Sequence, residues 1–271
     1  MRFRTFLLPL VGLAILWGSN AASAASLDEI VARQKVLIGV DLSVPPFGIT
    51  NDSMEPDGLD VDVAKLLAKD LGVTLELVPV TGQSRIPSLQ TGKVDFVVAS
   101  FGIYPERALS VAFSNPYGGH KSVIVAPNDT EIASLQDLAG KRVGVPRGTA
   151  HERVLSGAGI EGMELVRFDD DSTTLNALIS GQVDAIGTVN YIGAQLQQRY
   201  PDRFAEKLTY LESFYGVGLR RGDPDLLHWL NTVLFVHNQS GELGEIYEKW
   251  MKTPMPMPVS YTHLTLPTTP Y

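Results

Sequence analysis

Patterning along the chain predicts an α/β fold built from two successive units, and three observations predict it. Short apolar runs of strand length alternate with segments whose apolar residues recur at helical spacing. The alternation stops near Tyr117 and then begins again. Cysteine is absent from all 271 residues, so disulfides do not organise either unit. Strands alternating with helices argue for mostly parallel sheets covered on both faces.

The first unit opens with a strand over 36–42 that ends at Asp41, after which the Pro45-Pro46 pair forces a loop. Leu59, Val63, Leu66, Leu67 and Leu71 then mark one face of a helix, with Gly72 as its stop. A strand over 73–80, a short helical segment over 85–90 and a strand over 94–99 follow. Beyond Tyr117 come strands at 122–126 and 142–145, separated by a short helix over 134–139 with Ser134 and Asp137 as its capping box. Helices over 149–156, 173–180 and 191–199 alternate with strands over 164–168 and 185–189. A strand within 211–223 leads to two amphipathic helices, 225–238 and 242–251.

The two ends of the chain read differently. Arg2 and Arg4, an apolar run over 6–17 and Ala22-Ser23-Ala24 predict a secretory signal peptide, residues 1–24, cut after Ala24. An uncleaved anchor is the alternative, but the run is short of the roughly 20 residues that span a bilayer. No cysteine follows the cut, so there is no N-terminal lipid anchor, and the composition suits an oxidising compartment. At the other end, 259–271 is rich in Thr and Pro and carries no formal charge; it resembles translated adapter sequence and is set outside the fold. The Met residues of 251–258 suggest copper ligands or, more simply, a Pro-rich flexible end.

Net charge excludes some partners. The formal charge is −8, and loss of Arg2 and Arg4 with the leader leaves −10, a poor match for nucleic acid or an anionic membrane. Asp169-Asp170-Asp171, the longest acidic run, reads as a solvated helix start rather than a metal site. No metal or cofactor is expected. No G-x-S-x-G, H-E-x-x-H or Walker A pattern occurs, and the glycine spacing of GVGLRRG is wrong for a dinucleotide loop.

The most informative stretch is 94–117. Its apolar strand closes on Ala99, Ser100 and Gly102, and Arg107 stands behind Pro105 at the start of a short helical turn. From there a guanidinium can fold back over the strand end and grip a carboxylate with two prongs; the alternative is a surface arginine on a turn.

ASFGIYPER at 99–107 with FSNPY at 113–117 resembles the signature of the bacterial periplasmic solute-binding proteins of polar amino acid ABC importers. The same family pattern appears in LIGVDLSVPPFG at 37–48, GLDVDVAKLLAKDLGV at 58–73, RIPSLQTGKVD at 85–95 and SLQDLAGKRVGVPRGTA at 134–150. LISGQVDAIGT at 178–188, YGVGLRRGDPDL at 215–226 and GELGEIYEKW at 241–250 continue it in order.

The resemblance implies a two-lobed periplasmic binding protein fold, type II, in which residues 25–118 and 214–258 form lobe 1 and 119–213 form lobe 2. Crossovers near 117–122 and 209–215 join the lobes, the last helices return to the first lobe, and the ligand lies in the cleft, closed by hinge motion. The implied partners are an amino acid or related carboxylate and an inner-membrane permease, for a periplasmic monomer.

Residue by residue, Arg107 matches the arginine that clamps the ligand carboxylate, and Ser100 and Gly102 the positions completing that clamp. Gly102 departs from the usual Ser or Thr, a loss of one hydrogen bond worth about 1 kcal/mol. Thr149 is either a second-lobe contact to the same carboxylate, a plain N-cap, or both. Asp41 matches a position that touches the ligand amino group. The second carboxylate for that group is replaced by Val189, with Asn190 next. Val44 and Gly82 stand where aromatics commonly sandwich the ligand, leaving Phe101 or Phe47 as substitutes. Arg85 either reads a second acidic group, favouring an acidic or amide-bearing amino acid or a carboxylate lacking the amino group, or faces water at a helix start. Two other functions share this fold: a prephenate or arogenate dehydratase, with His151 and Glu152 as acid and base, and a ligand-binding partner of a membrane sensor.

Overall fold

The computed structural model describes residues 27–256, so the expected leader at 1–24 lies outside the described residues, as does the tail at 259–271. In chain order the elements are α1 Leu27–Ala32, β1 Lys35–Val40, β2 Ile49–Thr50, β3 Pro56–Asp57, α2 Leu59–Leu71, β4 Thr74–Pro79, α3 Arg85–Gln90, β5 Phe96–Val97, α4 Pro105–Ala108 and β6 Ala112–Pro127. A 3₁₀ turn at Leu135–Leu138 leads to β7 Arg142–Pro146, α5 Ala150–Gly157, β8 Glu164–Phe168, α6 Asp171–Ile179 and β9 Ala185–Val189. The chain continues with α7 Asn190–Arg199, β10 Phe204–Leu219, α8 Pro224–Ser240 and α9 Glu242–Met251.

One eight-stranded sheet runs through the molecule in the order β4-β1-β5-β10-β6-β9-β7-β8. Its flanks are parallel, β1 with β4 and β5 on one side, β7 with β8 and β9 on the other. The middle is antiparallel: β6 and β10, each 16 residues long, pair from Ala112↔Leu219 to Pro127↔Phe204. One end of this pair joins β5 through β10, and the other joins β9 through β6. The two halves are therefore lobes connected through a shared two-stranded ribbon.

Each lobe owns its core. In the first, Val36, Ile38 and Val40 of β1 pack with Leu59, Val63 and Leu67 of α2. Leu230 and Tyr247 of the last two helices join that same core, so the chain's end returns to the lobe where it began. In the second, Val123 and Val125 face one helical layer and Ile124 and Ala126 the opposite one, the period-2 alternation of a strand buried on both faces. Gly72 ends α2 in the left-handed conformation (φ 66°), where its N–H reaches back to Lys69 O.

Two differences from the sequence reading have a physical cause. The strand expected over 94–99 is laddered only at Phe96–Val97, because Asp95 N and Val98 N each add one bond to β1 and Ser100 then turns left-handed at φ 43°. β6 and β10 run well beyond the expected strand cores. Their middle, Pro116 to Lys121 against Glu212 to Gly216, is rich in glycine and polar residues and has no strand signal of its own; cross-strand pairing holds it extended, with register shifts near Tyr215.

Phe47 binds the ribbon to both lobes. It is fully buried and meets the rings of His120, Tyr191 and Tyr215 edge-on, at centroid distances of 5.9, 5.8 and 5.4 Å. This places it in the core and not over the ligand cleft. Phe47→Ala is expected to destabilise the protein by about 3–5 kcal/mol, read as a lower urea midpoint at unchanged slope.

Candidate functional site

The cleft lies where the carboxyl ends of the first-lobe strands meet the loops of the second. Its cavity, about 30 Å³ in this closed arrangement, is lined by Arg85, Ser100, Gly102, Tyr104, Arg107 and His120 from the first lobe and the ribbon, with Thr149, His151, Asp171 and Val189 from the second.

Arg107 is delivered by α4, whose N1 residue is Pro105. Its Nη1 donates to Gly102 O at 2.9 Å and its Nη2 to Gly148 O at 2.8 Å, so one guanidinium touches both lobes. The rings of Phe101 and Tyr104 lie 4.9 and 5.1 Å away, cation–π contacts that hold the plane in place. Burial, reinforced by the positive charges of Arg85 and Arg153, lowers the Arg107 pKa to about 10. A cation destabilised in this way, with only carbonyl oxygens as partners, gains from an incoming carboxylate.

Ser100 lines the same cavity in a left-handed conformation that a serine adopts only under tertiary constraint. The constraint is a relay: Ser100 N donates to Tyr117 Oη at 3.1 Å, and Tyr117 Oη donates to Asp60 Oδ1 at 2.7 Å. Asp60 is fully buried, its Oδ2 has no partner, and desolvation raises its pKa to about 7. Gly102 departs from the family's Ser or Thr for a reason visible here: a Cβ would lie 2.6 Å from the ring of Tyr104. The phenol takes the place of the absent side chain, and its hydroxyl bonds that of Ser213 on β10.

Thr149 is the N-cap of α5, accepting from Glu152 N at 3.4 Å while its hydroxyl donates to Pro146 O at 2.7 Å. It lines the cavity in addition to capping the helix. Asp41 and Arg85 form a buried ion pair, Nη2 to Oδ2 at 2.9 Å, with Ser43 Oγ donating to Asp41 Oδ1 at 2.7 Å. Arg85 is buried, which removes the water-facing alternative, and its Nε has no partner. Asp41 stands behind Arg85 and Phe101 beneath the two guanidinium groups, so neither lines the cavity itself. Asn190 is elsewhere: its Oδ1 accepts from Lys121 N at 3.1 Å, and it borders an opening on the ribbon beside Tyr191 and Tyr247.

Sequence reasoning missed three cavity residues. Tyr104 lies within ASFGIYPER and His120 outside every motif; only the fold shows that both face the cavity. Asp171 was read as part of a solvated helix start. Asp170 does cap α6, accepting from Thr173 N at 2.7 Å, but Asp171 is 7% exposed and faces the cleft. Burial and the charge of Asp41 raise the Asp171 pKa to about 8. The imidazoles shift the opposite way: burial, with neighbouring positive charges, lowers His120 to about 4 and His151 to about 3, so both are neutral near pH 7. His151 Nδ1 pairs with Tyr210 Oη at 3.0 Å, while Glu152 turns away, accepting from Gly148 N at 2.8 Å and Arg167 Nε at 2.5 Å. The expected acid–base pair of His151 and Glu152 is not assembled in the cavity.

The lobes meet backbone to backbone. A Cβ on Gly82 would lie 2.5 Å from Arg147 O, and one on Gly148, at φ 72°, would lie 2.6 Å from Gly82 O. Gly82 therefore stands where relatives carry an aromatic because here the second lobe's loop fills that space.

A two-lobed α/β molecule with a cleft between its lobes defines a class, the type II periplasmic binding proteins. Within that class the chain belongs to the bacterial extracellular solute-binding proteins, family 3, which it matches over residues 36–253. The L-cystine-binding protein TcyJ of Escherichia coli strain K12 is 31% identical over 91% of this chain and 95% of its own. The P235GK mutant of ArgBP from T. maritima superposes with a TM-score of 0.79 at 34% identity, covering 84% of this chain and 99% of that one. An ancestral amino acid-binding protein described as a precursor of cyclohexadienyl dehydratase gives a TM-score of 0.76 at 33% identity, covering 83% and 98%.

Two predictions follow from this geometry. Gly82→Ala is expected to keep the lobes apart, so that ligand no longer reduces the radius of gyration in small-angle scattering. Asp60→Asn isolates one titration. Because the folded-state pKa of Asp60 lies above its usual 3.8, its contribution is present below about pH 4 and lost as pH rises through about 7. The stability of the Asn variant relative to the parent should therefore climb between those values and level off above them, in urea titrations at each pH.

Proposed function

We propose that the chain captures an amino acid in the interlobe cleft, closes on it by bending across the β6–β10 ribbon, and delivers it to an ABC permease. The observation that carries this reading is Arg107, a half-buried guanidinium that touches both lobes and pairs with no described carboxylate. Ser100, Gly102 and Thr149 surround the same cavity and complete a carboxylate clamp, with Arg85 at its edge. A ligand held there contacts both lobes at once, so its binding energy is also the energy of closure.

The lobe boundaries in this reading, 25–118 with 214–258 and 119–213, put the crossings at Gly118–Gly119 and Ser213–Phe214, next to the register shift between Tyr215 and Gly216. The leader directs the protein to the periplasm, where it acts as a monomer. A membrane sensor in place of the permease would use the same binding step. A dehydratase needs an acid–base pair in the cleft, and the engagement of Glu152 by Arg167 favours binding without turnover.

Calorimetric titration of the ligand-stripped protein with the amino acids tests this. One group should bind, and Arg107→Ala should weaken it about 100-fold or more, the cost of removing one partner of a desolvated charge pair. Consumption of prephenate or arogenate, or unchanged affinity in Arg107→Ala, overturns the reading.

A further inference from the structure

We propose that Asp171 receives the ligand's α-ammonium group in place of the carboxylate absent at Val189, and that the cavity so completed selects amino acids whose side chains carry no net charge. The inference rests on the amino acid reading of the cleft and names the class of ligand.

Placement is the first argument. Val189 ends β9 and Asp171 begins α6, yet both line one cavity with Arg107 and Thr149. A carboxylate missing from the strand end is thus supplied across the same space by a helix start. Asp171 has no structural duty there, because Asp170 caps α6 and its hydrogen bonds with Thr173 are complete without its neighbour. No described residue donates a hydrogen bond to the Asp171 carboxylate, although it is more than nine-tenths buried. A buried, unpaired carboxylate is costly and takes up a proton unless a cation arrives. Its raised pKa, caused by burial and by Asp41, agrees with that vacancy of positive charge. An α-ammonium group held opposite the Arg107 clamp is such a cation.

Charge balance is the second argument. Arg85 and Asp41 neutralise each other at 2.9 Å, so Arg85 does not stand as a free cation awaiting an acidic side chain. His120 and His151 are neutral at pH 7, and Glu152 is held by Arg167. Once Arg107 meets the α-carboxylate and Asp171 the α-ammonium, the cavity has no charge left over. A carboxylate or guanidinium on the ligand side chain would then be buried without a counter-ion, which low-dielectric surroundings penalise heavily. What remains is hydrogen-bonding capacity: Arg85 Nε and His120 Nδ1 are buried without partners. Both residues border the cavity, so an uncharged side chain bearing an acceptor or hydroxyl suits it.

The test compares each amino acid with its deamino analogue, the same acid with hydrogen in place of the ammonium group, by calorimetry on the ligand-stripped protein. A neutral amino acid should bind about 10-fold or more tighter than glutamate, lysine or arginine, and about 30-fold or more tighter than its own deamino analogue. Asp171→Asn should erase most of the second preference. The double variant Asp171→Asn with Val189→Asp should restore the preference, which a merely structural role for Asp171 would not produce. The parent protein's own comparison with the deamino analogue decides the matter if a variant fails to fold. Tightest binding of a charged side chain, an undiminished ammonium preference in Asp171→Asn, or equal affinity of the parent for both members of a pair overturns the proposal while amino acid binding itself stands. Binding of no amino acid at all, with Arg107→Ala indistinguishable from the parent, overturns the reading beneath it.

Discussion

The antiparallel pairing of β6 with β10 is the constraint on which the rest of the molecule depends. Each parallel flank needs a neighbour to complete its sheet, and each finds it in one end of this ribbon. Among the described residues two strands cross between the lobes, and their middle carries Gly118, Gly119 and Gly216 with a register shift beside Tyr215. The aromatic cluster of Phe47, His120, Tyr117 and Tyr215 packs against that middle and supports it with side chains.

The cleft concentrates charge where water is scarce, and its members are organised in pairs and vacancies. Arg85 with Asp41 is a completed pair, well bonded and electrically silent. Arg107 and Asp171 are vacancies of opposite sign, each displaced from its ordinary titration by burial. Arg107 reaches the cleft from the first lobe, while Asp171 belongs to the second.

Departures from the family pattern are locally compensated. Gly102 gives way to the Tyr104 ring, Gly82 to the backbone of Gly148, and Val189 faces a cavity to which α6 brings Asp171. Tyr104 stands two residues from Gly102, but Gly148 and Asp171 come from other elements of the chain, where position-by-position comparison registers only the loss.

The sequence by itself determined the element types, because helical periodicity, strand alternation and caps are local signals: α2 with its Gly72 stop, α3, β8, β9 and α9 lie where patterning put them. It also singled out Arg107, Ser100, Gly102 and Thr149, through the family resemblance and their places at strand and helix ends, and all four line one cavity. Tertiary structure alone decided the length of β6 and β10, since their Gly-rich middle is extended only by partners about ninety residues away. It alone separated Asp171 from Asp170, turned Asn190 onto the ribbon and paired Arg85 with Asp41, because burial and charge pairing are properties of three-dimensional neighbours. A run of three aspartates is uniform as a sequence; the direction of a helix axis makes one of them a cap and its neighbour part of the cleft.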